Sequence, residues 1–187
     1  MEHTTSAQEA KEEGLRLFHE GLYEEAAEKF KQAQDGFAAD GNEVDAAEMV
    51  NNQGLVFRME GKWDEAIAAL EDAKSVFVRV GDRSREAQAL GNLGGLYASK
   101  GDRDSAKDCL RQAADILSET GEPQLEGETL LALGVQQWKT GDRSTGLSTY
   151  EAGLHTLQQP TASQKALRGL LGLRTRLLGG GKTGGQV

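Results

Sequence analysis

The sequence Gly-Gly-Gly-Lys-Thr at residues 179–183 has the residue types of a phosphate-binding loop. Such a loop needs a glycine, four further residues and then Gly-Lys-Ser/Thr between a strand and a helix, because its backbone N–H groups must surround the phosphates. Here Arg176 occupies the first glycine position, and four residues follow Thr183. We interpret residues 179–187 as a flexible glycine-rich tail and predict no cofactor.

The other reactive side chains are scattered along the chain. His3, His19 and His155 lie on unrelated segments without a companion cysteine, so the spacing of a metal site is missing. Cys109 is the single cysteine, which excludes an intramolecular disulfide and favours a reducing compartment. We therefore predict a cytoplasmic protein that has no metal site and is not an enzyme.

The charge is divided unevenly between the body and the carboxyl-terminal end. The net charge is −9, but residues 158–187 hold five basic residues and no acidic one, which leaves −14 for the rest. This acidic body argues against a nucleic-acid surface that covers the whole protein. The first residues lack a basic and apolar leader, and no stretch approaches 18 apolar residues, so we expect neither a signal peptide nor a membrane span.

Glycine repeats with a fixed spacing of 40 residues, and this period predicts a repeat architecture. One series, which combines two 40-residue ladders offset by 20 residues, lies where periodic segments end, and four of its members are followed by aspartate or asparagine, the pattern of a helix stop and a new N-cap. It contains Gly21, Gly61, Gly101, Gly141 and Gly181 of one ladder and Gly41, Gly81 and Gly121 of the other. A second series, Gly14, Gly54, Gly94 and Gly134, lies inside predicted helices, where we expect a partner helix to approach closely.

These spacings predict an all-α fold of four antiparallel helix hairpins, each with an A helix and a B helix. The A helices are predicted near 6–20, 43–60, 83–100 and 123–140, and the B helices near 22–39, 62–80, 102–120 and 142–158. Proline at positions 123 and 160 suits a first helical turn. A ninth helix near 161–178 continues the A register.

The column Leu93-Gly94, Tyr97, Gly101, Ala106, Leu110 and Ala113 resembles the tetratricopeptide repeat. The length of the unit is similar to the 40-residue variety of spindle-orientation adaptors, rapsyn and bacterial regulators. The resemblance implies a right-handed superhelix, an α-solenoid, with repeats at 6–40, 41–80, 81–120 and 121–160 in a domain of residues 1–178. It also implies a concave groove lined by A helices and a function as a protein-binding adaptor or scaffold.

Family geometry places five positions of each A helix on the concave face, with small residues such as Gly91 and Gly95 in the middle of the groove. Leu15, Leu55 and Val135 could instead pack against the next hairpin. The resemblance implies a bound peptide or helix of a partner protein. We predict partner contacts at Lys11, Phe18, Asn51, Leu55, Arg58, Met59, Gln88, Trp138 and Lys139.

The predicted ninth helix is amphipathic, with six leucines within about 160° of one another and basic residues opposite. We interpret it as a cap over the last hairpin, whose loss would expose an apolar edge. Two alternatives remain open. The module could self-associate, or a regulatory subunit could contact an anionic membrane or nucleic acid through this basic helix.

Overall fold

The computed structural model describes residues 6–179, and within α9 it describes side chains as far as residue 171. The described residues form nine α-helices and no strand, as predicted. The helices are α1 Ala7–Glu20, α2 Tyr23–Ala39, α3 Glu43–Met59, α4 Trp63–Val80, α5 Arg83–Lys100, α6 Arg103–Thr120, α7 Pro123–Lys139, α8 Arg143–Thr156 and α9 Ala162–Gly179. Each helix begins and ends within about two residues of the predicted position.

The helix ends follow the predicted stop and start signals. Every described glycine of the first series, from 21 to 141, has a positive φ between 73° and 97°. Asn42, Asp82, Asp102 and Asp142 accept a hydrogen bond from the third backbone N–H that follows them. Position 181 lies outside the described residues.

The two prolines behave differently. Pro123 begins α7, as predicted. The prediction for Pro160 is wrong, because Thr161 is the N-cap of α9 and exchanges two hydrogen bonds with Gln164. Pro160 therefore lies before the helix.

The interior glycines mark where the two helices of a hairpin meet. A methyl group added at Gly54 would lie 2.8 Å from Leu70 Cγ, and one at Gly94 would lie 2.6 Å from Leu110 Cγ. Both contacts are shorter than packed carbon atoms allow. Glycine on the A helix thus makes room for a large side chain of the B helix, and Phe30, Leu70 and Leu110 are buried in this way.

The fourth hairpin has glycine on both helices. A methyl group at Gly134 would lie 2.7 Å from the carbonyl oxygen of Gly146, and one at Gly153 would lie 2.8 Å from that of Gly127. Here the two backbones touch, with no side chain between them. Tyr150 takes the position of Leu110 but is only half-buried.

The hairpins stack in chain order, with the A helices on the inside of the curve. Consecutive helices pack together from α1 to α9, and α3 also contacts α5, as α5 contacts α7. Comparable contacts between B helices are missing within the described residues. Elements inside a curved stack approach each other more closely than those outside, so the A helices line the concave face.

The described part of α9 lies against α8 but is not enclosed by it. None of residues 162–171 is buried, and Leu170 is 65% exposed. The leucines at 173, 177 and 178 belong to the part of α9 whose side chains are not described. The ninth helix is present, as predicted, and Leu167 and Leu171 are half-buried in its described part.

Candidate functional site

The concave groove has two edges, because the A helices run across it side by side. We call the edge formed by their first halves the amino-terminal rim, and the edge formed by their last turns the carboxyl-terminal rim. The predicted contacts Lys11, Asn51 and Gln88 belong to the first. Phe18, Arg58, Met59, Trp138 and Lys139 belong to the second.

The amino-terminal rim is held by a chain of ion pairs that joins three A helices. Lys11 Nζ on α1 lies 2.7 Å from Glu48 Oε1 on α3, and Arg85 Nη2 on α5 lies 3.2 Å from Glu48 Oε2. Arg85 Nη1 also lies 2.8 Å from Asp82 Oδ2. The hydrogen bond that Arg85 donates to Asp82 raises the pKa of Arg85, and Glu48 adds to this rise, whereas partial burial lowers the pKa. Lys11 is thus a structural cation as well as a predicted contact.

Asn51 is buried beneath this rim. Its side-chain oxygen accepts a hydrogen bond of 3.1 Å from Asn92 Nδ2, and 9% of the residue is exposed. Asn51 therefore joins α3 to α5 and does not offer the open contact expected from the sequence. The 40-residue period correctly predicted that Asn51 lies on the concave face, but the neighbouring helix α5 covers its side chain.

The carboxyl-terminal rim carries a cation without a protein counter-ion. Arg58 Nη2 donates one hydrogen bond of 3.2 Å to Ser99 Oγ, and a methyl group added at Gly95 would lie 3.0 Å from Arg58 Nη1. The guanidinium thus lies over Gly95 and Ser99 of α5. Among the described residues, no carboxylate lies within salt-bridge distance of Arg58. Four of its five N–H donors remain available for a ligand.

Apolar side chains extend along the same rim. Met59 is 51% exposed, Val135 37% and Trp138 49%. Trp138, Val135 and Lys139 line an almost wholly apolar cavity of about 190 Å³ with Leu147 and Tyr150 of α8. The guanidinium of Arg143 lies 5.8 Å from the centre of the Trp138 ring, which orients the indole by a cation–π contact.

The remaining predicted contacts differ in how open they are. Gln88 is exposed and Leu55 half-buried. Phe18 packs on the first core cluster and meets Tyr23 edge-on, with ring centres 5.6 Å apart. Phe18 therefore supports the first hairpin as well as the rim.

A larger cavity in the floor of the groove was not predicted from the sequence. It has a volume of about 410 Å³, lies between α5 and α7, and has Leu110 and Leu117 of α6 as its back wall. Gly91 forms its mouth, because an added methyl group there would meet no atom within 4 Å. In the sequence, Gly91 at a position on the concave face was a sign of open space there. The cavity itself could not be predicted, because the leucines that form its back wall belong to another helix, α6.

Cys109 is a free, half-buried thiol, and burial raises its pKa, which lowers its reactivity. Within the described residues, no three His, Cys, Asp or Glu side chains are grouped to hold a metal ion. No described helix combines the length and hydropathy that a membrane span requires.

Residues 45–119 match the family model of the tetratricopeptide repeat. The matched residues are tetratricopeptide repeats, and the described helices form the predicted α-solenoid. No curated protein sequence matches the chain.

Solved structures share the same fold at low sequence identity. BtubC from P. vanneervenii is 21% identical over 97% of this chain and 67% of that chain, with a TM-score of 0.71. A structure from Podosopora anserina has TPR-like repeats that are nearly identical to one another. It is 17% identical to this chain over 97% of this chain and 91% of that chain, with a TM-score of 0.71.

A further similar structure is a Rap conjugation gene regulator of the plasmid pLS20 in complex with the Phr* peptide. It is 19% identical over 93% of this chain, with a TM-score of 0.73. The chain spans 53% of that regulator, about half its length.

Proposed function

We propose that the chain is a non-catalytic adaptor that holds a segment of a partner protein in its concave groove. The carboxyl-terminal rim carries this proposal, because Met59, Val135 and Trp138 are exposed along it and the guanidinium of Arg58 has no counter-ion among the described residues. Exposed apolar groups next to a free donor are typical of a surface that binds another protein.

The similar structures support a peptide or protein as the partner. The Rap regulator of pLS20 has the same fold and was solved with the Phr* peptide. In this chain the groove offers apolar cavities for anchor side chains and amide groups for a peptide backbone, the combination used in peptide recognition. We also propose that the protein works in the cytoplasm, which accords with its unpaired cysteine.

The test is affinity capture from a cell extract, followed by direct binding of each recovered protein. Arg58→Ala combined with Trp138→Ala should weaken binding at least tenfold while the circular dichroism spectrum stays unchanged. The control is Arg111→Ala, an exposed arginine on the convex helix α6. A partner that is lost with Arg111→Ala and kept by the double variant would place recognition on the convex face and refute the proposal.

A second candidate rests on α9, where Leu170 is 65% exposed and residues 158–187 are basic without an acidic residue. In that case the helix binds a second copy, an anionic membrane or nucleic acid. Light scattering and binding to anionic liposomes or oligonucleotides, each with the full chain and with residues 1–160, distinguish these alternatives. Equal mass and equal binding for both forms would reject this candidate.

A further inference from the structure

The cavity behind Gly91 has the size and the lining of a pocket for one side chain. Its back wall is apolar, because Leu110 and Leu117 lie there, while Gln88 and Thr129 bring hydrogen-bonding groups to its mouth. A volume of about 410 Å³ leaves room for a large aliphatic side chain, with polar groups placed for the backbone on either side.

Some charged side chains around this pocket have an ionic partner, and others do not. Lys11, Glu48 and Arg85 on the amino-terminal rim compensate each other. Arg58, by contrast, has no carboxylate partner among the described residues. Glu128, in the wall of the pocket, accepts a hydrogen bond of 2.6 Å from Gln124 but has no cation within salt-bridge distance in the described part of the chain.

The uncompensated charges lie on opposite sides of the pocket. Arg58 extends from α3 over Gly95, which lies one helical turn, about 6 Å, beyond Gly91 on the same face of α5. Glu128 belongs to α7, the next A helix. A segment that runs along the groove therefore meets a positive group, the pocket and a negative group in that order.

We infer that the groove selects an extended partner segment with a large aliphatic residue between an acidic and a basic residue. The aliphatic side chain enters the Gly91 pocket, the acidic residue pairs with Arg58 and the basic residue with Glu128. Packed helices lie about 8–10 Å apart, and an extended chain advances about 3.3 Å per residue. Each charged residue is therefore about two to four positions from the aliphatic one. This inference rests on the proposed function and specifies its ligand.

The decisive variant is Gly91→Met, which fills the pocket without disturbing the fold. No atom lies within 4 Å of an added methyl group, and methionine favours a helix interior over glycine, so the melting temperature should stay equal or rise. Gly169→Met is the matched control, because Gly169 lies in α9, has the same open surroundings and is far from the groove in sequence.

The probe is a displayed library of random twelve-residue peptides, selected on the full chain. We expect one aliphatic position with an acidic residue on one side and a basic residue on the other. Gly91→Met should weaken these peptides at least tenfold, whereas Gly169→Met should not. Arg58→Glu should change the acidic preference to a basic one, and Glu128→Lys should change the basic preference to an acidic one.

The outcomes separate this inference from the proposed function. Peptides that lose binding with Arg58→Glu but not with Gly91→Met, or that show no aliphatic preference, would overturn the pocket and leave groove binding intact. A selection in which no peptide depends on Arg58, Trp138 or Gly91 would refute groove binding itself.

Discussion

In the third hairpin Gly94 on α5 receives the side chain of Leu110, whereas in the fourth hairpin Gly134 on α7 meets the backbone of Gly146. The same A-helix glycine thus serves two kinds of contact. In one it accommodates a buried leucine, and in the other it lets two backbones touch. The identity of the B-helix residue decides which contact forms.

The difference has a consequence for the stability of each repeat. A leucine in the interface removes apolar surface from water, and complete burial contributes about 1.5–3 kcal/mol. Glycine in both helices contributes no such side chain. Position 137, in the column of Phe57 and Tyr97, is a buried glutamine whose Oε1 has no hydrogen-bond partner among the described residues. We infer that the fourth repeat is the least stable one.

The largest expected effect is that of Gly94→Leu in the third hairpin. The new side chain would collide with Leu110 in a central repeat and force α5 and α6 apart, at a cost of about 3 kcal/mol or more. Urea unfolding followed by circular dichroism measures this loss. Stability equal to that of the wild type would show that the helices do not meet at Gly94.

Gly146→Ala tests the contact between backbones in the fourth hairpin. The added methyl group would lie 2.7 Å from the Gly134 carbonyl oxygen and 2.7 Å from the Trp138 nitrogen, and these backbone atoms cannot rotate away. We expect a loss of about 1–3 kcal/mol. Hydrogen exchange should show this loss in α7 and α8 rather than in α1 to α4.

Gly169→Ala is the control for that variant. No atom lies within 4 Å of the added group, so this change should be neutral or gain up to about 1 kcal/mol. A stabilising effect of Gly146→Ala would show that the fourth hairpin has room for a side chain, and the contrast between the two repeats would fail.

Gln137→Leu should make the fourth repeat more like the third. The change removes a buried acceptor without a partner and supplies an apolar group, so the free energy of unfolding should rise by about 1 kcal/mol. Gln112→Leu on the exposed face of α6 should give no gain. Thermal unfolding compares the two, and a destabilised Gln137→Leu variant would mean that the glutamine is hydrogen-bonded in solution.

The smallest expected effect is that of removing residues 161–187. None of residues 162–171 is buried, so the melting temperature should fall by less than about 2 °C, which corresponds to less than about 1 kcal/mol in a chain of this size. The uncovered edge of α8 should also promote self-association, which light scattering detects. An unchanged melting curve and a monomer would show that α9 serves recognition and not capping.

The helices, their caps and the hairpin contacts could be predicted from the sequence because each depends on neighbours within one 40-residue unit. Gly94 and Leu110 are 16 positions apart, and the period repeats their relationship three times before the fourth unit departs from it. The groove was predicted less completely. Trp138 is exposed as expected and Arg58 is half-buried, but Asn51 is buried because Asn92 of the next repeat covers it.

The sequence by itself thus determined an all-α stack of helix hairpins, since helix periodicity and glycine positions are local properties of the chain. The tertiary structure decided which groove residues are free to bind. Glu48 is shared by Lys11 and Arg85, whereas Arg58 and Glu128 lack such partners within the described residues. The pocket behind Gly91 exists because leucines of α6 form its back wall between α5 and α7. Such features depend on how three helices pack together, and a repeating column does not contain that information.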